Sequence, residues 1–430
     1  YLVEGVVDYA GSSRFRKGHR YDVFPSAGLG WVVSEEAFMQ EADWVDFLKI
    51  RGQIGVLGYE DFGAQYLYEW YYQKQSGPTF GPSSLGSSSP WLGTGNYVSN
   101  KTTLQRLGNP DLTWEKRREL SVGFDAQLLY VSATYFRSKR DGIITSMTGN
   151  LPLYWGLRNV AVYENHNASL QQGVEAAFRF GGRTGDFGYS VGASFAFRKS
   201  KYLRYDESYT YAYQAVKGTA LDAYRGYVYL GKFASAEEIA SSPEQTFDEK
   251  LQPGDLKYAD LNNDGRIDSN DQCVIGHTDP RFIYAVNLHL SYKWFDLTVV
   301  GTGRAGYQVP FTNAWFWNGW GDNNYSKFVK KNFGGDYPRI AYNKVNNNFQ
   351  QSAYWLRDGG FFKIQNVELG FDAPIPAGSR TGIKGLRIFL RGANLLTISR
   401  IKDVDPESVD SGVSTYPLFR TFTAGINLTF

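Results

Sequence analysis

Apolar and polar residues alternate with a period of two along much of this chain, the pattern of strands with one greasy and one wet face. Leu120, Val122, Phe124, Ala126 and Leu128 fall on one side of a predicted strand, and Val131, Ala133 and Tyr135 on one side of the next. The rhythm recurs at Val174, Ala176, Phe178 and Phe180, then at Tyr189, Val191, Ala193, Phe195 and Phe197. Its longest run is Phe282, Tyr284, Val286, Leu288, Leu290, Tyr292 and Trp294, interleaved with Asn287, His289, Ser291 and Lys293. Leu386, Ile388 and Leu390 form another set, as do the terminal Phe422, Ala424, Ile426, Leu428 and Phe430. About twelve such segments are predicted, each near the roughly ten residues a tilted strand needs to cross a bilayer. Glu175, Arg179, Arg198, Arg387 and Arg391 occupy the polar faces.

Two architectures suit this alternation. In a soluble sandwich the apolar faces press together; in a membrane barrel they meet lipid, and charge points into a wet interior. Connection lengths separate the two. Short links follow Leu128, Phe180 (residues 181–185) and Tyr292, and moderate ones cover 34–46 and 372–385. Long ones cover roughly 57–114, 139–167, 203–281, 305–359 and 398–419. Soluble domains rarely hold so many long loops, whereas outer-membrane barrels alternate tight periplasmic turns with long extracellular loops. With Phe430 at the periplasmic end, every long loop falls outside. The predicted fold class is therefore all-β: an antiparallel transmembrane β-barrel over 1–430, with 203–281 as a long extracellular loop. Tyr130, Tyr189, Tyr292 and Trp294 stand at predicted strand ends, where interfacial aromatic girdles belong. Residues 1–9 already read as strand, with neither a secretory signal nor a plug before them, so a C-terminal portion of a larger barrel is expected.

Composition narrows the function classes. Lys and Arg total 45 against 43 Asp and Glu, a net charge of +2, which lacks the cationic excess of a nucleic-acid binder. One cysteine excludes a disulfide scaffold and any Cys-cluster metal site. No apolar run approaches the roughly 20 residues of a membrane-spanning helix. His19, His166, His277 and His289 have no Ser or Cys partner in a recognisable nucleophile motif, so an enzyme is not expected. A soluble all-β carbohydrate-binding or hydrolytic protein is the competing reading.

Two local patterns carry candidate chemistry. Residues 260–271 place oxygen ligands at Asp260, Asn262, Asp264, Asp268 and Asp271, with Gly265 at the sharp turn and the Arg266 carbonyl available. That spacing curls hard oxygens round one point, as Ca²⁺ requires, although Asp271 replaces the bidentate Glu of an EF-hand and no convincing helix flanks the loop. An Asx-rich turn that caps itself is the bland alternative. The loop over 305–359 holds Trp315, Trp317, Trp320 and Tyr325 beside Asp322 and Asn323. Such aromatic faces next to amides and carboxylates could stack on sugars or cover a peptide; packing between loops explains them equally well. Cys273 reads as a small buried residue.

Many short motifs, in order, resemble the SusC/RagA family of TonB-dependent outer-membrane transporters. They include residues 109–115 (NPDLTWE), 258–265 (YADLNNDG) with 274–276, and 280–282 with Asn287. Further ones are 355–359 (WLRDG) with 363–366, 392–395, 405–407 (DPE), 416–423, and near the start 8–15 and 24–31. The resemblance implies a barrel of about 22 strands with a plugged lumen. It implies a SusD-like lipoprotein lid, an oligosaccharide or peptide cargo, and drive from TonB–ExbB–ExbD. The expected setting is the outer membrane of a Gram-negative, Bacteroidota-like cell, with outer-membrane lipid and an N-terminal plug and barrel portion as neighbours. A family barrel that has lost transport and serves as a scaffold is the alternative.

Overall fold

A computed structural model describes residues 1–39, 41, 45–76, 100–127, 130–147, 160–247, 250–312, 316–317, 327–332, 335–340, 345–375, 382–402, 404–409 and 418–430. Twelve long strands pair in chain order as one sheet. They are β1 (Leu2–Gly11), β2 (Tyr21–Val32), β3 (Leu48–Tyr59), β4 (Glu115–Gln127), β5 (Tyr130–Ser146) and β6 (Ala161–Thr184). Then come β7 (Phe187–Arg204), β8 (Phe282–Tyr292), β9 (Phe295–Ala305), β10 (Phe361–Asp372), β11 (Gly385–Ser399) and β12 (Thr421–Thr429). Every neighbouring pair along this path is antiparallel.

The register decides which face each side chain takes. One row runs Ile50, Phe124, Ala133, Ala176, Phe195, Tyr284, Gly303 and Phe362 across eight strands. The adjacent row, one residue along, runs Arg51, Gly123, Thr134, Glu175, Ala196, Ile283, Arg304 and Phe361. Successive strand residues face opposite ways, so the first row lines one side of the wall and the second the other. The apolar side packs on nothing: Ile54 is 63% exposed, Val122 49%, Leu390 57% and Ile426 65%. Apolar residues left so bare in rows without charge are what a lipid-facing barrel wall requires, and a sandwich core is excluded. This is the all-β membrane wall that the alternation predicts. No helix among the described residues is long and apolar enough to cross a membrane.

Two details differ from expectation. Tyr130 pairs with Arg179, which puts it on the polar face rather than in a lipid-side girdle. On the apolar face, Phe187 pairs with Tyr292, and Tyr292 with Phe295. The expected loop over 139–167 is largely strand, since β5 continues to Ser146 past a register shift at Gly142 (φ 66°) and β6 starts at Ala161.

The buried core lies outside the wall, in the long connections. Within 205–360, Ala223–Gly226 pairs with Cys273–His277, Tyr229–Lys232 with Leu256–Tyr258, and Gln308–Pro310 with Leu356–Asp358. Tyr227, Leu256, Tyr258, Ile267, Phe311, Phe316, Tyr337, Phe349 and Trp355 pack there as one cluster. A second cluster gathers Phe15, Phe24, Leu67, Leu112 and Trp114.

Candidate functional site

The polar side of the wall is a field of paired charges. Arg51 bonds Asp125 (3.1 Å) and the Thr134 hydroxyl (2.6 Å), while Ser132 donates to the other Asp125 oxygen. Nearer the short turns, Arg387 bridges Asp296, Glu368 and Asp372, and Arg391 also holds Glu368. A cleft of about 580 Å³ opens beside Arg51, Thr134, Glu175, Arg304, Phe361 and Glu407. Ionised groups in this number need counter-ions or water, which a wet lumen supplies.

Where β11 ends, residues 404–409 turn back onto this face. Lys363 of β10 is fully buried beneath them, its Nζ 3.1 Å from Asp405 and 2.5 Å from Glu407. Arg304 reaches Glu407 from the next strand at 3.8 Å. The segment is thereby tied to the lumen wall. Sequence reading quoted residues 405–407 as a motif but assigned Lys363 no role; a lysine on a strand followed 42 residues later by an acidic pair carries no local signal.

The loop core is held by a buried polar frame as well as by rings. Asp255, with no exposed surface, receives two bonds from Arg339 (2.9 and 3.0 Å). Asn348 donates to Asp255 and accepts from the Leu256 N–H, and Gln245 joins Leu256, Asn347 and Tyr258. The Trp355 indole donates to the Asn348 carbonyl. Burial pushes the Tyr258 and Tyr354 phenols far above their ordinary range, so both are neutral donors. Burial also raises the Cys273 thiol, although the residue is half-buried rather than buried as expected.

The candidate metal loop is folded around its own backbone. Asp271 is completely buried and accepts from the Leu261 and Asp268 N–H groups. Asp260 accepts from Gly265 N–H, Asn262 from Asp264, Asp264 from Arg266 and Asp268 from Asn270. Gly265 takes φ 82°, as the sharp turn demands. Among the described residues no group of three or more His, Cys, Asp or Glu is arranged to hold a metal. One buried oxygen, Asp260 Oδ1, has no hydrogen-bond partner.

Of the aromatic candidates, Trp317 is described. It lies half-buried against Phe349 (5.7 Å between centroids) and Trp355 (5.9 Å), as a packing residue of the loop core. Trp315, Trp320, Asp322, Asn323 and Tyr325 lie outside the described residues.

No protein-family model matches the chain. Among curated proteins, TonB-dependent receptor P26 of Formosa agariphila is 26% identical over the whole chain, which spans 44% of that receptor. TonB-dependent receptor SusC of Bacteroides thetaiotaomicron is 25% identical, again over the whole chain and 42% of its own length. In fold, the chain superposes in full on a structure of the RagAB peptide importer in its closed-closed state, with TM-score 0.71, 19% identity and 46% of that chain covered. In sequence and in fold, the chain resembles SusC/RagA-type TonB-dependent receptor barrels. A SusC/RagA-like wall of this kind belongs in the outer membrane. The chain spans less than half the length of these relatives.

Proposed function

We propose that this SusC/RagA-like chain supplies lumen wall and outward loops to an outer-membrane importer of oligosaccharides or peptides. A SusD-like lipoprotein closes over the loops, a plug fills the lumen, and TonB–ExbB–ExbD supplies the energy. The observation that carries this reading is the loop assembly: the described residues of connections 205–281 and 306–360 gather into one aromatic core. A lid needs such a firm seat, and loops without a core would not give one. Trp315, Trp320, Asp322, Asn323 and Tyr325 are the proposed cargo contacts.

The test is uptake of labelled oligosaccharides and peptides by cells carrying the full-length receptor, with and without TonB, together with co-purification of a lipoprotein. TonB-dependent uptake of one class and a co-purifying lid are expected. A lipoprotein complex without uptake in any background would replace import by a scaffold role.

Calcium on the loop at 260–271 belongs to the same proposal, with Asp260, Asn262, Asp264, the Arg266 carbonyl, Asp268 and Asp271 as its ligand set. The orphaned Asp260 oxygen supports it; the cation would draw the other oxygens away from backbone N–H groups and stiffen the seat for the lid. Asp260→Ala with Asp264→Ala should weaken lid retention while barrel insertion continues. Chelator should lower the thermal midpoint of the wild-type loops alone; an equal midpoint with and without chelator removes the metal.

A further inference from the structure

The outward face of the wall changes character abruptly at its long-loop end. On β4 to β7 the row Val122, Tyr135, Val174 and Phe197 is wholly apolar. The next outward-facing row reads Leu120, Arg137, Gln172 and Lys199, and the one above it Arg118, Lys139, Leu170 and Lys201. Five cations thus stand in two rows that contain no acid. Asp141, two residues beyond Lys139, is already shared by Lys139 and Arg204. Arg118, Arg137, Lys199 and Lys201 are exposed, and among the described residues none of them has an ion pair. Acidic partners are plentiful on the luminal face, where neighbouring Arg117 pairs with Glu119 at 2.5 Å.

Height fixes where this band lies. From Phe187 to Phe197 the outward residues of β7 are apolar, about 33 Å of strand and about 25 Å of height at a tilt of about 40°. That is the thickness of the lipid-facing band of an outer-membrane barrel. The cations begin one row higher, where hydrocarbon gives way to headgroups, and Lys199 Nζ lies over the Phe197 ring, 5.4 Å from its centroid. Four strands at about 4.8 Å and two rows at about 7 Å make a patch about 15 Å wide and 7 Å tall.

We propose that this patch is a docking site for the phosphorylated headgroup of an outer-leaflet glycolipid. Phosphate oxygens would lie against Arg118, Arg137, Lys199 and Lys201, and the acyl chains below would cover Val122, Tyr135, Val174 and Phe197. Charge complementarity and continuity with the lipid-facing wall select a lipid over a protein. The site rests on the barrel assignment alone and stands whether or not the receptor imports anything.

The test titrates full-length receptor in neutral detergent with a phosphorylated lipid A-type glycolipid and with its dephosphorylated form, read by native mass spectrometry. Each cation near an anionic lipid surface contributes about fivefold in affinity. Arg118→Gln, Arg137→Gln, Lys199→Gln and Lys201→Gln together should therefore lower binding by on the order of a hundredfold or more, and the two lysine changes alone by about 25-fold. Arg117→Gln, facing inward, should bind as wild type. Folding of each variant is checked by the mobility shift of unboiled protein on a denaturing gel, and the double lysine variant serves if the quadruple one fails. Equal binding of the dephosphorylated lipid, or wild-type affinity in folded variants, overturns the proposal and leaves the patch to an acidic protein.

Discussion

The wall and the loop assembly reach stability by opposite routes. Along the wall, apolar side chains such as Val286 and Leu390 stay exposed and the backbone ladder closes neighbour to neighbour. In the loop assembly, Trp355, Tyr258 and Leu256 are almost fully buried and the backbone is largely irregular. Lipid solvates the first region and water surrounds the second, so the same residue types mean surface in one and core in the other. Hydrophobicity therefore locates a core only after the solvent on each face is known.

Trp355→Ala should separate the two regions most sharply. It removes a ring packed against Trp317, Tyr337, Phe349 and Tyr354, and the indole donor to Asn348. Losing a buried Trp costs about 3–5 kcal/mol, which should appear as lost hydrogen-exchange protection across 227–258 and 345–358. Protection in β4 to β9 should not change; a drop there would mean that wall and loops fold as one unit.

Val286→Arg against Asn287→Arg probes the wall itself. Val286 pairs with Gly301 and Ala193 on the apolar face, and Asn287 is the next residue on the polar face. An arginine facing lipid near mid-membrane costs about 2–4 kcal/mol, and one facing the lumen well below that. Reversible unfolding in liposomes measures both. Equal penalties would reverse the assignment of faces.

Lys363→Met tests a tie between the regions. It leaves Asp405 and Glu407 without their buried cation, and roughly 1–3 kcal/mol of docking should be lost. Faster proteolysis confined to 400–409 is the expected readout; an unchanged cleavage rate would show that the segment is held by other contacts.

These contrasts also explain what could be read in advance. The twelve strands were legible because a single-sided environment imposes a period of two over ten or more residues, as at Phe282–Tyr292. Strand ends were less so: β5 and β6 continue past the membrane into residues where no lipid enforces alternation. The loop core was invisible, because Tyr227, Ile267, Phe311 and Trp355 meet through tertiary contacts at no fixed spacing. At 260–271 the spacing points to a cation loop, with a self-capping turn as the alternative, and it could not say that Asp271 would point into backbone N–H groups. For Lys363, only the fold brings residues 405–407 alongside.

The smallest expected effect concerns pH at the seam between loops and wall. Asp222 accepts from the Asp279 N–H (2.8 Å) and pairs with Arg281 (2.9 Å), joining the start of the long loop to its return just before β8. Burial pushes this carboxyl up, but the Asp279 N–H and the Arg281 charge outweigh burial and leave it below its ordinary 3.8. A depressed carboxylate stabilises the folded form fully above its unfolded value, and that stabilisation is lost as pH falls through the folded value. Wild-type protection at 222–226 and 273–281 should therefore hold from neutral pH down to about 4 and weaken progressively below it. Asp222→Asn keeps the shape but not the charge, so its protection should start lower at neutral pH and vary less through the acid range. Parallel pH profiles for the two proteins would mean that another acid governs the seam.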